Sequence, residues 1–128
     1  SAEIAEVDDP DQPIAALIKD LKQSTKQRFT AFDFDYPEAA LEAGIVATES
    51  GIERDQAVRL VRIAQTARNL KGHGLDEGIS TRLLVYAATL IRRGVGPVDA
   101  CRTALVRPIT DDTDIRATLY HAIDAVFG

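Results

Sequence analysis

Apolar residues recur at helical spacing along most of the chain, and they predict a mainly helical protein. Gly51 and Gly94 are suited to end helices, Pro37 to begin one, and Pro108 to separate the last two. Thr110 is expected to cap the final helix. The predicted helices cover residues 14–21, 37–50, 53–71, 80–93, 97–106 and from about 110 to the end.

One predicted helix, over residues 53–71, separates an apolar stripe from a row of arginines. The stripe consists of Ala57, Leu60, Val61, Ala64 and Ala67. The residues largely outside it are Arg54, Arg59, Arg62 and Arg68. Such a basic row favours a solvated helix face. A surface that contacts a partner protein is the alternative.

Residues 29–36 (FTAFDFDY) break the helical pattern. They are rich in aromatic residues and alternate with a period of two, which predicts a β-strand. Because a single strand cannot form a sheet, it must pair with residues 1–13, with another copy, or with sequence outside this chain. Residues 1–13 are acidic and carry two prolines, so we expect a flexible lead-in there.

The segment 71–94 is the predicted centre of the molecule. Glycines punctuate its first half, and Ser80 is well placed to cap a helix that is apolar almost all round and hence buried. Arg82 falls in the first turn of that helix, where a cation opposes the helix dipole by roughly 0.3–1 kcal/mol. A carboxylate from Asp76 or Glu77, open water, or a bound anion such as phosphate would each offset this cost.

Composition and charge narrow the class of protein. With 128 residues, 45% of them hydrophobic and 27% charged, the chain has the properties of one globular domain. A net charge of −5 argues against a nucleic-acid partner. No apolar run approaches the roughly 20 residues that span a bilayer. Cys101 is the single cysteine; it fits a reducing cytoplasm, and its helical spacing indicates a small buried side chain.

Candidate chemistry is sparse. The chain has no glycine-rich phosphate loop, no dinucleotide fingerprint and no Cys/His spacing for a metal, so no metal site is predicted. His73 beside Asp76 and Glu77 would allow acid–base catalysis, but a histidine that fixes loop geometry is the simpler interpretation. Arg82 and Arg28 remain as candidates for phosphate chemistry, because a planar guanidinium can stabilise phosphoryl charge.

Several segments together resemble the CbbQ/NirQ/NorQ/GvpN branch of the MoxR-type AAA+ ATPases. The similarity begins near Leu17 and continues to the C-terminus, and its most specific part is KGHGLDEGISTRLL. The segments that carry it are residues 19–29 (KDLKQSTKQRF), 34–37 (FDYP), 45–51 (IVATESG), 70–88 (LKGHGLDEGISTRLLVYAA) and 110–127.

This resemblance implies that the chain is the C-terminal third of such an ATPase. Residues 14–36 would then contribute a short helix and the last strand of the α/β nucleotide-binding core. Residues 37–128 would form the helical lid. The expected fold class is therefore mainly all-α, an AAA+ lid bundle of five to six helices with one orphan β-strand near residues 29–36.

The resemblance also implies roles for particular residues. Arg28 corresponds to the arginine finger, which acts in trans on a neighbour's nucleotide, and Arg82 corresponds to sensor 2. Ser80 and Thr81 would lie beside the same nucleotide, which is ATP with Mg²⁺ in the parent ATPase. The chain has no Walker motifs, and its one asparagine, Asn69, is not where sensor 1 is expected. We therefore expect an excised fragment or a natural truncated homologue that is inactive and binds no ATP alone.

Partners follow from the same resemblance. The parent ATPase would form a homo-oligomeric ring, a hexamer, in the cytoplasm. It would work with a von Willebrand factor A-type partner to activate a metalloenzyme client such as Rubisco or nitric oxide reductase. The alternative is a stand-alone helical adaptor without nucleotide chemistry, which would bind proteins through Arg54, Arg59 and Arg62 or through the exposed strand.

Overall fold

A computed structural model describes residue 16 and residues 36–128 of the chain. Between residues 36 and 128 the backbone forms five α-helices and one π-helical segment, and it contains no strand, only an isolated bridge from Lys71 to Leu75. The elements are α1 (Ala39–Ser50), α2 (Arg54–Asn69), α3 (Thr81–Arg92), α4 (Pro97–Cys101), the π-helical segment (Arg102–Val106) and α5 (Thr113–Phe127). The predicted all-α bundle is confirmed.

Three predicted elements lie outside the described residues. They are the lead-in over 1–13, the helix over 14–21 apart from Ala16, and the strand near 29–36 apart from Tyr36. The division of the chain into 1–13, 14–36 and 37–128 therefore stays a prediction.

α1 begins later than the sequence suggests and ends where expected. Glu38 has an extended ψ of 146° at the N-cap, so Pro37 lies before the helix rather than in its first turn. At the other end Gly51 adopts a left-handed conformation with φ of 85°. Its N–H donates to the Ala47 carbonyl at 2.8 Å, as expected of a glycine that ends a helix.

α2 packs its apolar stripe against α1, α3 and α5. All five predicted stripe residues are buried, and Ile63 joins them. Arg54, Arg59 and Arg62 are exposed, as the solvated-face interpretation requires. Arg68 corrects the prediction, because only 11% of its side chain is exposed. It continues the 57–61–64 spacing of the stripe, so it faces the protein rather than water.

α3 lies at the centre of the bundle and contacts α1, α2, α4 and the π-helical segment. Ser80 caps it as predicted, since its Oγ accepts a hydrogen bond from the Leu83 N–H at 3.3 Å. Leu75 and Ile79, both buried, anchor the preceding loop to the core. Seven of the twelve residues of α3 are buried: Thr81, Leu84, Val85, Tyr86, Ala87, Ala88 and Leu90.

The helix predicted over 97–106 has two parts. It is α-helical through Cys101 and then widens into the π-helical segment, which ends with a hydrogen bond from the Arg107 N–H to the Arg102 carbonyl at 3.1 Å. Cys101 and Leu105 are both fully buried in the core, as their spacing indicated. The change in helical type was not predicted.

The predicted N-cap of α5 is wrong. Asp112, not Thr110, is the N-cap: its Oδ1 accepts from the N–H groups of Asp114 and Ile115 at 2.9 and 3.0 Å. Thr110 stands before the helix, where its hydroxyl oxygen accepts from the Asp112 N–H at 3.1 Å. Leu119 and Ile123 bury the inner face of α5. None of the helices in the described part of the chain is both long and apolar enough to cross a membrane.

Candidate functional site

A cleft of about 480 Å³ opens beside the start of α3. A cavity of this size suits a small-molecule ligand, for which volumes of roughly 300–1,000 Å³ are typical. Arg82 supplies a positive charge to its wall and Glu77 a negative one. The lining residues are Glu77, Gly78, Ser80, Arg82, Leu83, Tyr86, Pro108 and Ile109.

Electrostatics at this end of α3 favour an anion. The first-turn N–H groups carry the positive end of the helix dipole, and the half-buried Arg82 adds a charge to the same turn. No acidic residue lies in the first turn of α3. Glu77, in the preceding loop, is exposed. The positive end of a helix together with a guanidinium is suited to phosphate oxygens.

Ser80 and Thr81 use their hydroxyl groups differently. Ser80 lines the cleft and caps α3. The Thr81 side chain is buried, with the residue only 3% exposed, and its hydroxyl donates to Oε2 of Glu42 at 2.7 Å. Thr81 therefore shapes the turn that carries Arg82, and its side chain is committed to the protein interior.

A buried ionic network lies directly behind this turn. Glu42 is 0% exposed, and its two oxygens accept from the Nη1 and Nη2 groups of Arg68 at 2.7 and 2.6 Å. Arg68 Nε donates to the Ile79 carbonyl at 3.1 Å. The Arg68 guanidinium also lies over the Tyr36 ring, 3.7 Å from its centroid. The network thus joins α1, α2, the loop before α3 and Tyr36.

Sequence reasoning missed Glu42 and Tyr36 and misplaced Arg68. A signal was available for the two charged residues, since each lies at core spacing on its own helix. Glu42 precedes the buried Val46 by one helical turn, and Arg68 follows the buried Ala64 by one turn. A charge at a core position is rarely buried without a partner, so two such charges indicate an ion pair.

The remaining candidate chemistry lies apart from the cleft or at its rim. His73, Asp76 and Glu77 are all exposed, and the His73 backbone N–H donates to the Leu70 carbonyl at 2.8 Å, so this residue helps to close the loop. Among the described residues no group of His, Cys, Asp and Glu is arranged to hold a metal ion. Burial raises the pKa of the Cys101 thiol to about 12, which makes it a poor nucleophile.

The remaining arginines that the sequence singles out are Arg28 and those of α2. Arg28 lies outside the described residues, so the structure says nothing of its position. On α2, Arg54 Nη2 donates to the Ala40 carbonyl at 3.1 Å. Arg59 and Arg62 are exposed on the same helix.

Comparison with known proteins finds relatives named CbbQ, NorQ and NirQ. The chain is 58% identical over 113 residues to Protein CbbQ of Hydrogenophilus thermoluteolus. The aligned residues cover 88% of this chain and 42% of that protein. It is 50% identical over 112 residues to Protein NorQ of Paracoccus denitrificans, with 88% of this chain and 42% of the relative covered. It is 49% identical over 108 residues to the denitrification regulatory protein NirQ of Pseudomonas aeruginosa, covering 84% of this chain and 42% of NirQ.

A family model gives the same result over most of the described domain. Residues 42–126, which include the ionic network apart from Tyr36 and the whole cleft, match the model described as CbbQ/NirQ/NorQ C-terminal. The chain spans about two fifths of the length of the relatives it matches, 42% in each of these three. The chain therefore belongs to the CbbQ/NirQ/NorQ family and contains that family's C-terminal region.

Proposed function

We propose that this chain is the C-terminal lid domain of an AAA+ ATPase that activates or remodels a metalloenzyme. In this proposal Arg82 acts as sensor 2 and contacts the phosphates of ATP bound, with Mg²⁺, to the same subunit. Arg28 acts as the arginine finger for the nucleotide of the neighbouring subunit in a hexameric ring. The Walker motifs would be supplied by the parent ATPase, and this chain alone would be inactive.

One observation carries the proposal. Arg82 occupies the second residue of α3, half-buried at the edge of a cleft of about 480 Å³, in a first turn without an acidic residue. A cation there opposes the helix dipole, and an anion that enters the cleft would offset that cost. A phosphate group is such an anion, and its oxygens suit both the guanidinium and the positive end of the helix.

The role of Arg28 rests on the resemblance alone, because the residue lies outside the described range. The names of the relatives bear on the process that the protein serves. One is named CbbQ, one NorQ and two denitrification regulatory protein NirQ. The name of the last two supports a role in the regulation of denitrification. A metalloenzyme client of the Rubisco or nitric oxide reductase type and a von Willebrand factor A-type partner rest on the resemblance.

The experiment measures steady-state turnover of Mg–ATP by assembled rings of the full-length protein. Arg82→Ala and Arg28→Ala should each lower turnover by roughly a hundredfold, the loss that follows removal of one charge-stabilising group. The matched control is Arg93→Ala, which removes an exposed arginine at the opposite end of α3. Wild-type turnover in Arg82→Ala, with rings intact, would refute the assignment of Arg82, and the same result in Arg28→Ala would refute the arginine finger.

A second candidate function is a stand-alone adaptor that binds a protein partner through α2. It is favoured by the exposure of Arg54, Arg59 and Arg62 along one helix. The double variant Arg59→Ala/Arg62→Ala should then abolish capture from source extract of a specific partner that contains no ATPase subunit. If the double variant captures the same proteins as wild type, this candidate is excluded.

A further inference from the structure

The network behind Arg82 contains a buried ion pair at a place where apolar side chains could fill the same space. Glu42 is fully buried and accepts three hydrogen bonds, two from Arg68 and one from Thr81. Well-packed apolar residues of similar volume stabilise a core as well as, or better than, a buried ion pair. An ion pair of this kind adds a defined geometry, because the planar guanidinium and the carboxylate fix each other's orientation.

The ion pair also orients the residues that precede Arg82. Arg68 holds the Ile79 carbonyl through Nε at 3.1 Å, and Glu42 holds the Thr81 hydroxyl at 2.7 Å. These contacts fix Ile79, three residues before Arg82, and Thr81, the residue directly before Arg82. Arg82 follows Thr81 directly, so a rotation of the first turn of α3 would move the guanidinium across the cleft.

Tyr36 closes the network from outside. Its ring stacks on the Arg68 guanidinium at 3.7 Å, and the residue is 42% exposed. Gly78 leaves the space that this stack needs. A Cβ on Gly78 would lie 2.7 Å from Tyr36 Oη, closer than real Cβ contacts, and 3.0 Å from Arg68 Cγ, which is a tight contact. The loop that forms the cleft wall therefore fits directly against the stack.

We propose that Glu42, Arg68, Thr81 and Tyr36 are positioning residues for Arg82. They set the orientation of the first turn of α3 and tie it to the Tyr36 ring. Loss of the Tyr36 ring would release the outer face of Arg68 and, through Ile79 and Thr81, change the position of Arg82 in the cleft. This inference rests on the proposed contact between Arg82 and nucleotide.

Two variants of the full-length protein test it by removing one contact each. Thr81→Val is nearly isosteric and deletes the hydroxyl that Glu42 holds. Tyr36→Leu deletes the stack on Arg68, and its control, Tyr36→Phe, keeps the ring. Ile123→Val, in the core of α5 and away from the cleft, controls for a general loss of stability.

Each variant is made in two backgrounds, one that retains Arg82 and one that carries Arg82→Ala. For every protein kcat and KM for Mg–ATP are measured. With Arg82 present, Thr81→Val and Tyr36→Leu should lower kcat by about tenfold, within the hundredfold that a misplacement of about 1 Å can produce. In the Arg82→Ala background neither should lower kcat further. Tyr36→Phe and Ile123→Val should retain wild-type kcat, because neither disturbs the first turn of α3.

A measurement without nucleotide checks the stack itself. The Arg68 Nε–H resonance should show a ring-current shift that disappears in Tyr36→Leu and persists in Tyr36→Phe. Its persistence in Tyr36→Leu would overturn the proposed geometry.

The kinetic outcomes separate the two proposals. If Arg82→Ala lowers kcat while Thr81→Val and Tyr36→Leu do not, the positioning inference is wrong and the assignment of Arg82 stands. Equal losses from Thr81→Val with and without Arg82 would also overturn it, because the network would then act by another route. If Arg82→Ala has wild-type kcat, the proposed function fails and the positioning role fails with it.

Discussion

Glu42→Leu should strongly destabilise the 128-residue chain. The substitution keeps most of the side-chain volume but removes the acceptor of three hydrogen bonds, all between 2.6 and 2.7 Å. Removing one partner of a buried ion pair typically costs about 3–5 kcal/mol, because the other charge stays buried. Arg68 retains the Ile79 carbonyl, and its side chain is 11% exposed, which allows partial relaxation. We therefore expect the lower end, about 3 kcal/mol.

The double variant Glu42→Leu/Arg68→Met separates the loss of the pair from the burial of an unpaired charge. Replacing both members of a buried pair by apolar residues is often neutral or stabilising. The double variant should therefore recover most of the stability lost in Glu42→Leu, by about 2 kcal/mol or more. Arg68→Met alone should also be destabilising, because it leaves the Glu42 carboxylate with only the Thr81 hydroxyl.

Urea unfolding followed by circular dichroism at the helical band measures these changes. A loss of about 3 kcal/mol corresponds to a fall in Tm of roughly 10 °C for a domain of this size. Glu53→Leu is the matched control, since Glu53 is exposed and its side chain makes no capping hydrogen bond; it should change stability by less than about 0.5 kcal/mol. A loss below about 1 kcal/mol in Glu42→Leu, or no recovery in the double variant, would refute the reasoning.

Three further predictions concern other sites. Asp112→Ala should lower the free energy of unfolding by about 1 kcal/mol in the same urea assay, because two backbone N–H groups of α5 lose their cap. Gly51→Ala should cost about 1–2 kcal/mol through its left-handed φ of 85°, whereas Gly96→Ala, at a φ of −58° with open space around it, should cost little. Burial raises the pKa of the Cys101 thiol from 9.0 to about 12. Its contribution to stability is therefore complete below pH 9 and falls between about pH 9 and 12, as the unfolded chain ionises first. Cys101→Ala should flatten the pH dependence of the urea midpoint in that window, and an unchanged slope would contradict the assignment.

The helices of the bundle could be predicted because their signals are local. Ser80 and Gly51 act at the helix ends where the sequence places them, and all five stripe residues of α2 are buried. The cap of α5 could not be predicted, because Thr110 and Asp112 are both acceptable N-cap residues. The choice depends on how the chain leaves the π-helical segment and turns at Pro108, and that path is set by tertiary packing.

The ionic network was beyond sequence reasoning for a similar reason. Glu42 and Arg68 lie 26 residues apart, on helices whose relative placement the pattern of either helix does not specify. Core spacing at each residue indicates that a charge is buried, but it does not identify the partner. Arg82 could be selected as a candidate from the sequence, because its conflict with the helix dipole arises entirely within one turn. Its role stays a prediction.

A comparison of magnitudes explains how the bundle tolerates Arg82 at this site. The unfavourable interaction with the dipole is roughly 0.3–1 kcal/mol, whereas full burial of a single side chain such as Leu84 or Leu90 contributes about 1.5–3 kcal/mol. With seven buried residues, α3 is held by packing on several sides, and its own capping is secondary. The start of the helix therefore stays in place without an anion, and the arginine remains at the cleft. In the proposed function, a phosphate that enters the cleft would meet a charge that is already positioned, so none of its binding energy would be needed to order the helix.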